Sequence, residues 1–120
     1  MDQNTFLQAI DTAQELGMAT THMFQHEGIL RMYLADTPEG ERRRKREIEH
    51  IKHCYSEAIM RSRDERVRMQ RELSELVDKD IWEPENCTKE MYAQMSALRT
   101  AIAEYRAKEA QYKQAKEELA

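Results

Sequence analysis

Four histidines occur as two pairs whose spacing raises the question of a metal site. His22 and His26 are four residues apart and would share one face of a helix that contains both. His50 follows Glu47 with the Glu-x-x-His spacing of carboxylate-bridged metal sites in helical bundles. In a helical projection, however, His50 and His53 point away from the apolar side of their segment. We therefore expect neither a metal nor a cofactor, and we keep a site built from His22, His26 and His50 as an alternative hypothesis.

The two cysteines, Cys54 and Cys87, have no second thiol at Cys-x-x-Cys spacing. A nucleophile needs a base and an orienting group beside it, and no local pattern supplies them. The sequence therefore predicts free thiols and a protein that is not an enzyme. The first twenty residues lack the charged and apolar regions of a signal peptide, and no apolar run is long enough to span a membrane. We expect a soluble, intracellular, cytoplasmic protein in a reducing compartment, with no membrane partner.

Five consecutive basic residues, Arg42 to Arg46, form the most conspicuous charged run. Such runs occur in nuclear-import signals and in nucleic-acid contacts. Within residues 39–49, however, four acidic side chains accompany the five basic ones, and Glu39 precedes Arg43 by the four residues that favour a helical ion pair. This pattern predicts a solvated, salt-bridged surface.

The run lies in a segment, about 38–78, that the sequence predicts to be one long helix. This helix carries a basic stripe along one outward face. It comprises Arg43, Arg46, His50, His53, Arg61, Arg68 and Arg71. A row of cations can follow a phosphate backbone, or it can face an acidic groove on a protein. The whole chain has a net charge of −4, and no aromatic residue is interleaved with the stripe to stack on a base. We therefore favour a protein partner, with a nucleic-acid-binding regulator as the alternative.

Trp82 is the only tryptophan and follows Ile81 between two predicted helices. Tryptophan is enriched among the residues that dominate binding energy at protein interfaces. The sequence allows two interpretations: Ile81 and Trp82 either bind a partner or fold back to cap the end of the bundle.

Composition and turn residues define the fold class. Three glycines and two prolines stand against 35% charged residues, which is typical of long solvated α-helices with narrow apolar seams. Turn residues around Thr37-Pro38 and from 78 to 88 divide the chain into helix one (about 4–35), helix two (about 38–78) and helix three (about 88–118). We predict a single all-α domain, 1–120, in which three helices form an elongated hairpin or bundle with coiled-coil-like seams.

Helix one differs from the other two because apolar residues surround most of its circumference. A helix of this kind is normally buried, and two slender helices give it limited cover. The sequence therefore predicts a homodimer. The predicted self-association residues are Phe6, Ile10, Phe24, Leu30 and Leu34. The alternative is that Gly17 or Gly28 breaks the helix, so that its two halves face one core. The last two turns of helix three, whose apolar repeat is interrupted, are expected to be exposed.

These observations predict a non-enzymatic helical protein-interaction module. As an adaptor, an assembly factor or a small protein inhibitor, it would act through its surface and through self-association. A nucleic-acid-binding regulator is the alternative, and a metal-binding helical bundle is the second alternative.

Overall fold

The computed structural model describes residues 1–119, and within them it contains helices and no strand. The four α-helices are α1 (Gln3–Glu15), α2 (Glu27–Leu34), α3 (Pro38–Trp82) and α4 (Lys89–Glu118). Two 3₁₀ helices cover Ala19–Gln25 and Pro84–Asn86. The predicted all-α class is therefore confirmed. None of the helices in this part of the chain is both long and apolar enough to cross a bilayer.

The prediction of three helices is wrong, because the segment predicted as helix one is interrupted at Gly17. This glycine has φ +77°, a left-handed conformation that other residues adopt at a cost. Its N–H donates to the Gln14 carbonyl at 3.0 Å, and the N–H of Met18 donates to the Ala13 carbonyl at 2.9 Å. This pair of bonds is a Schellman motif, which ends α1. The alternative of a glycine break is correct at Gly17, whereas Gly28 lies inside α2.

Threonine hydroxyls cap the beginnings of α3 and α4. The sequence predicts Thr37 as the cap of α3 and allows either Asn86 or Thr88 as the cap of α4. The Thr37 hydroxyl accepts the Gly40 N–H at 3.0 Å, and Pro38 is the first residue of α3. At α4, the Thr88 hydroxyl accepts the Met91 N–H at 3.2 Å. The end of α3 differs from the prediction, because the helix continues about one turn beyond residue 78, to Trp82.

Contacts within the chain group it into two compact units. The first unit comprises Met1–Glu57 and the residues from Tyr112 onward, and the second comprises Ala58–Gln111.

The first unit contains an apolar core. It is formed by Phe6, Ala9, Ile10, Ala13, Phe24, Ile48, Ile51, Tyr55 and Ala115. Phe6 stacks on Tyr33 with ring centroids 5.9 Å apart, and Phe24 meets both rings edge-on. Helix α1, the first 3₁₀ helix and α2 therefore face one core at different angles. The expected exposure of the last two turns of helix three is wrong, since Ala115 is buried and Leu119 packs against this core.

Arg44 is a buried charged residue of this unit, with 4% of its surface exposed. Its Nη1 donates to the carbonyl oxygens of Tyr33 at 2.8 Å and Ala35 at 3.0 Å, and its Nε donates to the Met1 carbonyl at 3.0 Å. The first two oxygens lie at the end of α2, where helix carbonyls lack partners within the helix and carry partial negative charge. Arg44 therefore caps α2 from α3. The expectation that the whole run from Arg42 to Arg46 is solvated is wrong at this position.

The second unit pairs parts of α3 and α4 along a narrow seam. The buried seam residues are Ser62, Met95, Leu98 and Ile102. Glu109, which interrupts the apolar repeat of α4, accepts two hydrogen bonds from the Arg66 guanidinium, at 2.6 and 3.2 Å. The Arg66 Nη1 also donates to Gln70 at 3.2 Å. A bidentate pair thus replaces an apolar contact in the seam.

Replacement of Arg44 by Met should lower the free energy of unfolding by about 3 kcal/mol, because it retains an apolar stem but removes every donor to the three carbonyls. Chemical denaturation monitored by circular dichroism measures this change. The matched control is Arg42→Met, at an exposed position of the same basic run, which should change stability by less than about 0.5 kcal/mol. Equal effects of the two substitutions would contradict the structural role of Arg44.

Gly40→Ala should destabilise the protein by about 1–3 kcal/mol, because the added methyl group would collide with the Ala35 carbonyl oxygen and force the α2–α3 connection to shift. Thermal unfolding of the variant measures the cost. Gly28→Ala is the control, since its methyl group would meet open space, and we expect unchanged or slightly increased stability. An unchanged melting temperature for Gly40→Ala would refute the tight contact.

Candidate functional site

Two large apolar side chains are exposed at the C-terminal end of α3. Ile81 is 63% exposed and Trp82 is 80% exposed. The interpretation that they fold back and cap the bundle is therefore wrong. They are also not loop residues, because α3 extends through Trp82. Trp82 is thus held on an ordered helical turn with most of its indole ring accessible.

A hydrogen bond between α3 and α4 braces this end of the second unit. The Tyr92 hydroxyl donates to the Asp80 Oδ1 at 2.5 Å. This hydrogen bond, and the negative charge of Asp80, raise the pKa of Tyr92 to about 12. The Tyr92 ring is itself 45% exposed. We call Ile81, Trp82 and Tyr92 the aromatic tip.

The segment that contains Ile81 and Trp82, and that ends two residues before Tyr92, is acidic. Residues 78–90 hold five acidic and two basic side chains. The connection between the helices is short and ordered, since Pro84–Asn86 forms a 3₁₀ helix and the Cys87 N–H donates to the Pro84 carbonyl at 3.2 Å. An exposed apolar surface inside an acidic segment is the complement of a basic surface with an apolar pocket.

Four residues of the predicted basic stripe lie in the first unit, and part of their charge is neutralised. Arg43 pairs with Glu39 at 2.8 Å, and His53 lies 3.2 Å from Glu57. Arg46 and His50 are exposed. A surface ion pair such as that of Arg43 with Glu39 contributes little stability, but it reduces the positive potential available to a phosphate. The contact of His53 with Glu57 is an ion pair only when the imidazole is protonated.

The other three residues of the predicted stripe, Arg61, Arg68 and Arg71, lie in the second unit and are exposed. The guanidinium of Arg68 pairs with Glu65 at 2.5 Å. Arg68 and Arg71 also line a shallow surface depression of about 490 Å³ together with Met60, Val67, Arg63 and Asp64. Met60 and Val67 are both exposed, and they add an apolar element to this basic surface.

The geometry assumed for the histidine pair His22 and His26 is wrong. His22 lies in a 3₁₀ helix, and His26 has an extended backbone with φ −83° and ψ 116°. The two residues therefore do not share an α-helical face. Within residues 1–119, no group of three or more His, Cys, Asp or Glu side chains is arranged to hold a metal ion, and His50 is part of no such group.

Cys54 has a histidine neighbour that the sequence analysis did not identify. Its Sγ lies 3.7 Å from the Nε2 of His50. Burial raises the pKa of this thiol, and the negative charges of Glu57 and Glu47 raise it further. Since a nucleophilic cysteine needs a lowered thiol pKa, this pair lacks the electrostatics of a catalytic dyad.

The residues predicted for self-association divide into two groups. Phe6, Ile10 and Phe24 are buried inside the first unit and contribute to its core, so their side chains are not available to a second copy of the chain. Leu30 and Leu34 are half-buried against the same core. The predicted homodimer stays a prediction, but these three buried residues cannot form its surface.

Glu47 is a buried carboxylate whose environment the sequence did not reveal. It is 7% exposed, and its Oε1 accepts a hydrogen bond from the Thr20 hydroxyl at 3.4 Å. Burial raises the pKa of Glu47 above its usual value of 4.5, while His50 and the Thr20 hydrogen bond act in the opposite direction. Its Glu-x-x-His spacing suggested a metal ligand, whereas the structure places it under the 3₁₀ segment.

Comparison of the chain with protein-family models, curated proteins and solved structures finds no match. The geometry of the molecule is therefore the basis for a functional assignment.

Glu47→Gln should raise the free energy of unfolding at pH 7 more than at pH 4.5. The pKa of Glu47 is raised in the folded state, so the protonated carboxyl stabilises the fold below the unfolded pKa near 4.5. This stabilisation is lost as the pH rises through the folded pKa, because a buried charge then forms. Glutamine stays neutral at both pH values and avoids this cost. Denaturation of wild type and variant across this pH range measures the difference. Glu49→Gln, at an exposed position, is the control and should change stability by about 0.5 kcal/mol or less. A Glu47→Gln difference that is independent of pH would contradict the burial effect.

Proposed function

We propose that the chain is a non-enzymatic helical protein-interaction module that binds its partner through the aromatic tip. The observation that carries this proposal is the exposure of Trp82, at 80%, on the last turn of α3. An isolated exposed apolar residue needs no explanation, but the tip combines Ile81, Trp82 and Tyr92 in one end of the second unit.

The tip is well suited to act as a rigid anchor. The backbone of Trp82 is helical and the Tyr92 side chain is held by its bond to Asp80, so few backbone torsions need to be fixed on binding. Less conformational entropy is then lost than in ordering a flexible loop. Large aromatic anchors of this type dominate the energetics of many interfaces.

The expected partner is a protein with an apolar pocket that has basic side chains at its rim. The five acidic and two basic residues of the segment 78–90 favour this class by charge. An adaptor, an assembly factor and a small protein inhibitor all require such a surface. Self-association and a cytoplasmic location remain part of the hypothesis.

A nucleic-acid-binding regulator is the alternative function. Its support is the exposed arginines of the second unit, Arg61, Arg68 and Arg71. Binding through phosphates would weaken steeply with salt, which separates this alternative from binding through an apolar anchor. The ion pair between Arg68 and Glu65 counts against it.

Trp82→Ala should abolish capture of the partner, because truncation of a central aromatic anchor costs about 2 kcal/mol or more, or at least thirtyfold in affinity. Tagged protein is incubated with cell extract, half of the sample is treated with nuclease, and bound proteins are quantified by mass spectrometry. A stoichiometric partner that survives nuclease and is lost from Trp82→Ala is the expected result.

The matched control is Met60→Ala, which truncates another exposed apolar side chain of α3 and should retain the partner. The fluorescence of Trp82, the only tryptophan, should shift to shorter wavelength when the purified partner is added. Partners that disappear with nuclease would favour the nucleic-acid alternative. Partners retained equally by both variants would overturn the assignment of the tip.

A further inference from the structure

The first unit contains a pocket that the proposed function does not use. Its volume is about 320 Å³, at the lower end of the range of about 300–1,000 Å³ found for small-molecule sites. Ala9 of α1, Tyr55 of α3 and Ala115 of α4 are buried residues that line it. The small alanine side chains leave the space that the pocket occupies.

The Tyr55 hydroxyl is the feature that points to a ligand. Tyr55 is 1% exposed, and within residues 1–119 its hydroxyl has no hydrogen-bond partner. A buried polar atom without a partner costs free energy, so a group that bonds to it gains more than it would at a solvated hydroxyl. Burial and the nearby charge of Glu118 raise the pKa of Tyr55 to about 12, so at pH 7 the hydroxyl is neutral and can accept a hydrogen bond.

The charged groups around the pocket have one sign. Asp11 and Glu118 line it, and the described lining includes no Lys, Arg or His side chain. The remaining polar lining consists of hydroxyl and amide groups, including those of Thr5 and Thr12. Such a site repels anions. An ammonium group carries three donors and no acceptor, which matches carboxylates and hydroxyl oxygens.

We propose that this pocket binds the ammonium group of a primary amine, with the alkyl stem of the amine against Ala9, Ala115 and the Tyr55 ring. The ammonium group would donate to the Tyr55 hydroxyl and lie near Asp11 and Glu118. The amine is either a free small molecule or the side chain of a lysine, since both present the same chemistry.

The test is an NMR titration of the full chain with n-butylammonium, 1-butanol and butyrate at constant ionic strength. These probes share an alkyl stem and differ in the head group. We expect butylammonium to shift the amide signals of Ala9 and Ala115, with a Kd at least about fivefold lower than that of butanol. Butyrate should bind more weakly than either. Equal binding of butylammonium and butanol, or no shift at these residues, would overturn the proposal.

Tyr55→Phe should weaken butylammonium binding by about fivefold or more. The variant retains the ring and removes an unpartnered hydroxyl, so it should melt at or above the wild-type temperature. Tyr105→Phe, in the second unit, is the matched control and should bind the amine normally. Asp11→Asn changes an exposed side chain, so it tests the site without a change in the core. It should weaken binding about twofold or more. Unchanged affinity in both Tyr55→Phe and Asp11→Asn would refute the site.

The source of the amine is distinguished by a second ligand, Nα-acetyl-lysine methylamide. Binding at least fivefold tighter than butylammonium would identify a lysine side chain as the natural occupant. Weaker binding than butylammonium, with the same dependence on Tyr55, would identify a free amine. Neither result bears on the aromatic tip, since Trp82 and the pocket belong to different units.

Discussion

The hydrogen bonds of the Arg44 guanidinium connect α3 to the end of α2 and to the first residue of the chain, and the rest of the first unit depends on this connection. One side chain of α3 satisfies the carbonyls of Tyr33 and Ala35 at the end of α2 and the carbonyl of Met1. Burial of an arginine is costly unless its donors are satisfied, and here three carbonyl oxygens offset that cost. Because α2 has only eight residues, it is too short to be stable alone, and it depends on such tertiary contacts.

The connection between α2 and α3 is closely packed because the Ala35 carbonyl oxygen, which bonds to Arg44, also lies against Gly40. Gly40 leaves room for this oxygen. With the chain held there, Tyr33 can reach Phe6 and Phe24 and complete the aromatic cluster of the core. A local capping interaction and a distant apolar contact are thus mutually supportive, as expected for a sequence that specifies one structure.

The sequence predicted those features that depend on local residue types. Thr37 with Pro38, and Thr88, fix the starts of α3 and α4 because capping needs only a side chain and its own helix. Helix one was predicted too long because its apolar residues continue past Gly17, and periodicity alone does not show a left-handed φ. Arg44 was missed for a different reason. A basic residue among four others has the pattern of a surface, and its three carbonyl partners come together only in the folded chain.

The candidate site was predicted in part for the same physical reason. A single tryptophan beside a helix end is visible in a sequence, but its exposure depends on where the helix stops. In the structure α3 extends to Trp82, Tyr92 bonds to Asp80, and the Trp82 side chain remains exposed. The second unit buries few side chains, so its apolar core is small, while Ile81, Trp82 and Tyr92 expose apolar surface at one end. A partner that covers Trp82 would add apolar burial that this pair of helices lacks, and in the proposed function this gain would favour binding.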